Sequence, residues 1–272
     1  MLRYLGRQIA HYLNQQIKRY EPFAVVPVAC LASVLEPGDV LLVEGNRRIS
    51  TAIKYLTQST WSHAALFVGD FQRTGLGLEA PTLIEADVEH GVMAVPLTRH
   101  AGHNLRVCRP ASLSREDGAR VRQFAIDRIG YSYDLKNIID LARYLLPVPP
   151  IPVYWRRRML ALGSGSATRA ICSTLIAQAF ESVRYPVLPL IEKSEEPGGD
   201  HLSQGAREVL HVRHFSLFTP RDFDISPYFR VIKPELECGF DYRTLLWRED
   251  GVIERTSVEA LPNERMLTPV RT

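Results

Sequence analysis

The sequence predicts an α+β fold in which strands come first and helices follow. Short β-type runs separated by turn residues occupy residues 36–109, and helical periodicity dominates residues 114–183. Apolar residues make up 46% of the 272 residues and charged residues 23%, which is typical of a globular protein with a substantial core. Because strands and helices are segregated along the chain, we expect a sheet packed against helices.

Each predicted strand is a short apolar run bounded by turn residues. Alternation within two of these runs places His63 and Glu85 on defined faces of neighbouring strands in the sequence. A short helix is predicted after the first strand, over residues 50–58. The predicted strands are residues 40–43, 61–68, 83–88, 92–95 and 105–109, and a closing strand lies within residues 219–232 after a turn and an exposed link.

Three helices are predicted in the middle of the chain, over residues 114–129, 135–146 and 170–183. The first has Ser114 as a candidate N-cap and acidic residues in its first turn. The third follows a Gly- and Ser-rich loop in which Ser166 or Thr168 is a candidate N-cap, and it carries Cys172 in its first turn. The apolar run at residues 24–35 is interrupted by Pro27, so we interpret it as a buried strand or connector rather than a signal-peptide core.

Charge and cysteine content limit the classes of protein. A net charge of +3 is too small to indicate nucleic-acid binding. Cys30, Cys108, Cys172 and Cys238 lie far apart, without zinc-ligand spacing or the density of a disulfide scaffold, which favours a reducing compartment. No apolar run reaches the length of a membrane span. We therefore expect a cytoplasmic protein, with contact at the inner membrane surface as the alternative for residues 1–20.

Those first residues predict a basic amphipathic helix, since no Asp or Glu precedes Glu21. Docking on its own domain is favoured, and binding to an anionic membrane surface is the alternative. The predicted organisation is an N-terminal helix (1–22), a catalytic domain (23–235) in which residues 185–213 are a candidate lid, and a C-terminal tail (236–272).

Cys172 is a candidate nucleophile because a helix N-terminus favours a thiolate. Lowering a cysteine pKa by about 3 units from about 8.5 requires roughly 4 kcal/mol. A helix end supplies only about 1 kcal/mol, so an imidazolium partner is needed. His63 is the candidate base and Glu85 the candidate orienting carboxylate, with Asp87 competing for the second role.

Each of these residues also has a structural explanation. His63 and Cys172 are equally compatible with ordinary core positions, and Glu85 with a solvated strand face. Contacts with substrate or an oxyanion are predicted for Ser62, Asp87, Tyr131 and Tyr133, the two tyrosines having packing at a helix entrance as their alternative. Neither a metal nor a cofactor is expected.

Four short motifs then occur in a characteristic order: Pro37-Gly-Asp-Val40, Trp61-Ser-His63, Ile84-Glu-Ala86 with Gly91-Val92 after it, and Ile171-Cys-Ser173. Together with Thr219-Pro220 and residues 226–230, this order resembles the circularly permuted papain-like cysteine hydrolases of the NlpC-type superfamily, the YiiX- and YebB-like group. The resemblance covers residues 36–232 and rests on order and spacing. In ordinary papain-like enzymes the cysteine precedes the histidine, whereas here it comes last.

The resemblance implies a permuted papain-like fold, with an antiparallel sheet or small barrel packed against helices. Cys172 would attack an acyl carbon with His63 as general base, Glu85 as the orienting residue and the Cys172 backbone N–H in the oxyanion hole. Ile171 and Thr174 depart from the aromatic and charged residues that family members often carry at these positions, which bears on the substrate.

Three functions follow from this reading. The first is hydrolysis of an amide or peptide bond through an acyl-enzyme. The second, suggested by lecithin:retinol acyltransferase relatives with the same permuted order, is a lipid esterase or acyltransferase at a membrane surface. The third is a non-catalytic binding module, which the presence of a cysteine, a histidine and a carboxylate together disfavours. The expected partner is a small peptide, amide or lipid substrate, without nucleic acid.

Overall fold

A mainly antiparallel set of strands carries the fold of this computed structural model. The structure describes residues 15–16, 20–23, 25–72, 77–87, 90–131, 171–193, 208–211, 218–244, 246–249 and 252–255. Within these ranges the strands are β1 (Val40–Val43), β2 (His63–Phe67), β3 (Pro81–Asp87), β4 (Gly91–Pro96), β5 (Leu105–Pro110), β6 (Leu190–Lys193), β7 (Glu208–His211), β8 (Phe229–Ile232), β9 (Leu246–Glu249) and β10 (Val252–Arg255).

The described helices are short, and most of them border the sheet. Residues 97–100 and 242–244 form 3-10 turns, the first of which follows β4 directly. Among the described residues, no helix is long and apolar enough to cross a membrane. The α-helices are α1 (Val28–Val34), α2 (Arg48–Thr57), α3 (Arg115–Ile126), α4 (Ile171–Glu181), α5 (Pro220–Asp224) and α6 (Pro234–Glu237).

Six strands form one antiparallel sheet in the order β4-β3-β2-β1-β5-β8. At one end of its central strands, Val43 is paired with His63 on β2 and with Leu105 on β5. The predicted α+β class and antiparallel sheet are therefore confirmed. β1 has the limits that the sequence predicts. Strands β2 to β5 differ from their predicted ranges by at most two residues at each end.

The central strand β1 is buried on both faces, because helices cover both sides of the sheet. Val40 and Leu42 pack in a cluster with residues of α3 and α4, whereas Leu41 and Val43 pack in a second cluster with residues of α1. A strand between two apolar layers carries a continuous apolar run, as Val-Leu-Leu-Val does here. The sheet is thus the middle of three layers.

Helix α4 is the main helix of the first cluster, and its apolar residues surround it almost completely. Such a pattern is typical of a helix buried in a core. Phe180 is fully buried and its ring packs edge-to-face on Phe229 of β8 at a centroid distance of 5.2 Å. Packing on β2 and β3 fixes the position of the N-terminal end of α4, where Cys172 lies.

Arg109 joins β5 to the turn before β1. Its guanidinium donates to both carboxylate oxygens of Asp39 at 2.9 and 2.8 Å, to Glu36 at 2.6 Å and to the Val34 carbonyl at 2.7 Å. Burial raises the pKa of Asp39, which is 1% exposed, and the arginine opposes that rise. This ion pair explains why the Pro37-Gly-Asp turn keeps a buried carboxylate.

The interpretation of residues 24–35 as a strand or connector is wrong for most of the segment, since residues 28–34 form helix α1. Pro27 stands at the N-cap position of that helix, so the proline precedes the helix rather than interrupting a strand. Leu31 and Leu35 are buried four residues apart, which is helical spacing. The predicted turn at residue 219 is likewise the N-cap of α5, in a capping box between Thr219 and Asp222.

The cysteines also differ from expectation, because Cys30 on α1 is bonded to Cys238 just after α6. The sequence analysis does not anticipate this pair, since 208 positions separate the two residues. α6 also packs on α1, so the chain is attached to the body of the fold as far as residue 238. Cys108 and Cys172 are free thiols. The predicted helix at 135–146, the N-cap candidates Ser166 and Thr168 and most of residues 1–20 lie outside the described residues.

Replacing Cys30 and Cys238 by Ser together should lower the melting temperature measured without reductant. Closing a loop of this length restricts the unfolded chain by about 5 kcal/mol in the chain-entropy treatment. A thiol reductant should lower the melting temperature of the wild type and leave that of the double variant unchanged. Four alkylatable thiols in the denatured, unreduced wild type would show that the bond is not formed.

Candidate active site

His63 begins strand β2, opposite Val43, at the end of the central strands. Its side chain is 23% exposed, and its Nε2 lies 2.9 Å from Oε2 of Glu85. The charge and hydrogen bonding of Cys172 are among the causes that raise the pKa of the same ring, so the thiol lies beside it. One imidazole thus contacts both the carboxylate and the thiol that the sequence analysis pairs with it.

Glu85 lies in the middle of β3 and its side chain is only 2% exposed. His63 and His100 approach Oε2 at 2.9 and 2.8 Å, and Nε of Arg99 donates to Oε1 at 2.8 Å. Burial alone would raise the pKa of Glu85, but the charges and hydrogen bonds of the two histidines outweigh it and hold that pKa far below its usual range. Glu85 is therefore an ionised, fully engaged carboxylate.

Cys172 is the second residue of α4 and is 4% exposed. The following residue secures this end of the helix, since Ser173 Oγ donates to the Phe218 carbonyl at 2.8 Å. Burial would lower the pKa of His63, but the charge of Cys172 and then that of Glu85 raise it well above its ordinary value. The groups on either side of His63 therefore favour its imidazolium form.

The three side chains reach this point from both sides of the sheet. Alternation along β3 places Glu85 on the same side as Leu83, which packs towards α1. Cys172 belongs to the cluster on the opposite side, with α4. His63 stands at the first position of its strand, where its ring contacts both groups.

His100 and Arg99 are functional candidates that the sequence analysis misses. Both lie in the 3-10 turn after β4, and His100 is only 8% exposed on its side chain. Burial lowers the pKa of His100 although Glu85 raises it in part, so this ring is neutral and its Nε2–H donates to the carboxylate. A turn of four residues is too short to give a periodic pattern. Its short distance in sequence from β3 is the one local signal of a contact with Glu85.

The other predicted contact residues differ in their described contacts. Asp87 accepts from the backbone N–H of His90 at 2.6 Å and lies 3.8 Å from Arg99, so its described contacts do not include His63. Ser62 is buried, and its Oγ accepts from Gly45 N–H at 2.9 Å. The Tyr131 side chain is 63% exposed. Tyr133 and most of residues 185–213, including the centre of the candidate lid, lie outside the described residues.

His63, Glu85 and His100 bring three donor atoms within 4.8 Å of one another, and these are atom types that zinc sites use. Hydrogen bonds from both rings to one carboxylate oxygen already account for this proximity. The Arg99 cation on the other oxygen disfavours a second cation beside it. The arrangement fits a hydrogen-bonded catalytic network better than a metal centre.

Free Cys108 provides an internal comparison for Cys172. It is fully buried in β5, and burial raises the pKa of its thiol far above the ordinary value, with Asp224 adding to the rise. Nothing comparable to His63 is among the causes acting on it. A buried thiol without an imidazole partner is inert, which distinguishes the two free cysteines.

One family model matches part of the chain. A model of the permuted papain-like amidase enzymes, the YaeF/YiiX or C92 family, matches residues 34–144. This segment contains His63, Glu85 and His100 and ends before Cys172. No curated protein matches the chain.

Among solved structures, the chain is similar to one described as the metalloprotein yiiX from Escherichia coli O157:H7, with 17% identity and a TM-score of 0.42. The similarity covers 73% of this chain and 96% of the other. The family match supports a hydrolase of the amidase type in general. Over residues 34–144 the chain is therefore similar to the YaeF/YiiX family of permuted papain-like amidases.

Proposed function

We propose that the protein is a cysteine amidase that cleaves an amide or peptide bond through an acyl-enzyme intermediate. Cys172 is the nucleophile, His63 the general base and acid, and Glu85 the orienting carboxylate. The observation that carries the proposal is the His63 ring, which lies 2.9 Å from a fully buried carboxylate and whose pKa is raised by the Cys172 thiol on its other side. This is the arrangement that a thiol nucleophile requires.

The reaction proceeds in two halves. His63 takes the thiol proton of Cys172, the sulfur forms a bond to the carbonyl carbon, and His63 returns the proton to the leaving amine as the C–N bond breaks. Water then attacks the thioester with His63 again as base, and the thiol leaves with the proton. Glu85 stays ionised throughout and stabilises the imidazolium.

The backbone of Cys172 supports the same chemistry. The N–H groups in the first turn of a helix have no carbonyl partner within it, and Cys172 is the second residue of α4. An oxyanion formed next to the sulfur therefore meets a backbone donor and the positive end of the helix dipole. The helix end contributes about 1 kcal/mol, so the imidazolium remains the larger contribution to thiolate formation.

The donors around Glu85 favour a permanent ion pair with His63 over proton sharing. Three donors hold Glu85, so transfer of the imidazolium proton to it is unfavourable. His63 instead keeps its proton until the leaving amine takes it. We infer that His100 and Arg99 are positioning residues, because they touch Glu85 rather than the reacting atoms.

The lipid-directed alternative depends on residues 1–20, most of which lie outside the described residues. It remains a prediction, as does location in the cytoplasm. The Cys30–Cys238 bond weighs against the cytoplasm, because disulfides persist mainly in oxidising compartments. The amidase is accordingly the function that we favour.

Cys172→Ala should abolish labelling by a thiol-directed activity probe and hydrolysis of a panel of short peptide amides. The matched control is Cys108→Ala, which removes the other free cysteine and should leave labelling intact. Mass spectrometry of the labelled protein identifies the modified residue. Equal labelling of the wild type and Cys172→Ala would contradict the proposal.

Glu85→Gln should move the alkaline limb of the kcat/KM profile to lower pH. The negative charge of Glu85 helps to raise the pKa of His63, so its removal allows the imidazolium to lose its proton earlier as the pH rises. The rate should also fall by about 10- to 100-fold. Asp87→Asn is the control, and a limb that moves with Asp87→Asn but not with Glu85→Gln would reverse the assignment.

His100→Leu should lower kcat by about tenfold with little change in KM, because it removes one donor from a buried carboxylate. His100→Gln retains an N–H donor and should recover most of the loss. Steady-state kinetics give kcat and KM for both variants, which are compared only if they melt at the same temperature. A loss that is as large for Gln as for Leu would indicate a role other than donation to Glu85.

A further inference from the structure

A polar cavity of about 550 Å³ opens at the same end of the sheet as His63. Two of its walls come from helix α2 with the residues after it and from helix α5. Its volume is in the usual range of small-molecule sites. The residues that matter for its chemistry are Glu44, Lys54, Trp61, Arg106, Arg221 and Asp224.

The sheet register places this cavity beside the proposed catalytic residues. Val43 pairs with His63 on one side and with Leu105 on the other. Glu44 directly follows Val43, and Arg106 follows Leu105 and is paired with Leu42 in the antiparallel register; both line the cavity. Adjacent strands lie about 4.8 Å apart, so cavity and histidine occupy neighbouring positions.

The segment before His63 lines the cavity, and the helix that carries Cys172 is bonded to the segment that leads into α5. Trp61 lines it two residues before His63 and is only 6% exposed. Its indole Nε1 donates to Asp224 of α5 at 3.0 Å. On the other side, the Ser173 hydroxyl next to Cys172 bonds to Phe218, just before α5.

The charged side chains that line the cavity include one more cation than anion. Lys54 pairs with Glu44 at 2.9 Å, and Arg106 pairs with Asp224 at 2.6 Å. Three cations and two carboxylates line the cavity, which gives a net charge of +1. Arg221 is the cation without an ion-pair partner among the described residues.

The Arg221 side chain is available for a ligand. Its Nη1 donates to the Thr57 carbonyl at 3.3 Å, which steadies the guanidinium at the wall. A guanidinium has five N–H donors, so most of them are left for an incoming group. Paired N–H groups in this fork geometry match a carboxylate, which they bind in a bidentate manner.

We propose that this cavity is a substrate subsite that binds the free carboxylate of a short peptide, with Arg221 as the recognising cation. The proposal rests on the amidase function and specifies its substrate class. One excess positive charge matches a monoanion, whereas a dianionic phosphate would lie against Glu44 and Asp224. Polar residues dominate the lining, which favours a peptide over an acyl chain.

The location has a consequence for the bond that is cleaved. On this proposal, a carboxylate held in the cavity would present the amide bonds nearest to it to Cys172. The enzyme would therefore act close to the carboxyl end of a short peptide, and its amide-capped analogue would be a poor substrate.

Binding of N-acetyl-Ala-Ala and of its C-terminal carboxamide to the full chain tests the subsite without requiring turnover. Calorimetric titration of Cys172→Ala protein should show the carboxylate peptide binding at least tenfold more tightly than the carboxamide. Arg221→Gln should abolish that difference, and Arg221→Lys should restore part of it. Arg230→Gln is the matched control, since Arg230 is an exposed arginine on the neighbouring strand β8.

Equal binding of the two peptides, or an Arg221→Gln variant that retains the preference, would overturn the subsite. Dimethyl phosphate carries the same single charge, and competition by it as strong as that of the carboxylate peptide would show that a peptide is not what the site recognises. Failure of the amidase appears separately, as probe labelling that survives Cys172→Ala. Thermal melts of the Arg221 variants distinguish lost binding from lost folding.

Discussion

The buried carboxylate of Glu85 is the constraint on which the rest of the site depends. Removing an ionised carboxylate from water costs several kcal/mol unless donors replace the solvent. Here two histidines and an arginine do so, and they come from β2 and from the turn after β4. Satisfying one charge therefore fixes the position of His63, and with it the partner that Cys172 needs.

The permuted order of the chain is compatible with this site because His63 and Glu85 belong to the sheet and Cys172 to a helix packed on it. β2 and β3 place His63 and Glu85 by strand pairing, long before Cys172 is reached in sequence. The apolar faces of α4 then seat the helix on those strands. Glu85 and His63 come from one sheet, and the sulfur comes from a helix packed across it. Contact between the three groups requires only that His63 stand at the end of its strand.

The strands and the chemistry-bearing residues were predictable from the sequence, because alternation, helix period and residue type are local signals. Other features depend on contacts that no local pattern records. His100 sits in a turn whose place is set by the pairing of β3 with β4, and the partners Cys30 and Cys238 are 208 positions apart. Helix α1 was misread because seven residues after a proline are too few to show a period.

The arginines of this fold also explain why one of them is a candidate for substrate binding. Asp39, Glu85 and Asp224 are three sheltered carboxylates, and the ion-pair partners that hold them include Arg109, Arg99 and Arg106 respectively. Each pair offsets the cost of taking its carboxylate out of water, so these guanidiniums are committed to structure. Arg221 faces a cavity at the catalytic end of the sheet without such a partner among the described residues. A ligand that supplies a carboxylate would stabilise this cation. Substrate recognition would then use the same arginine–carboxylate pairing that stabilises the buried carboxylates of the fold.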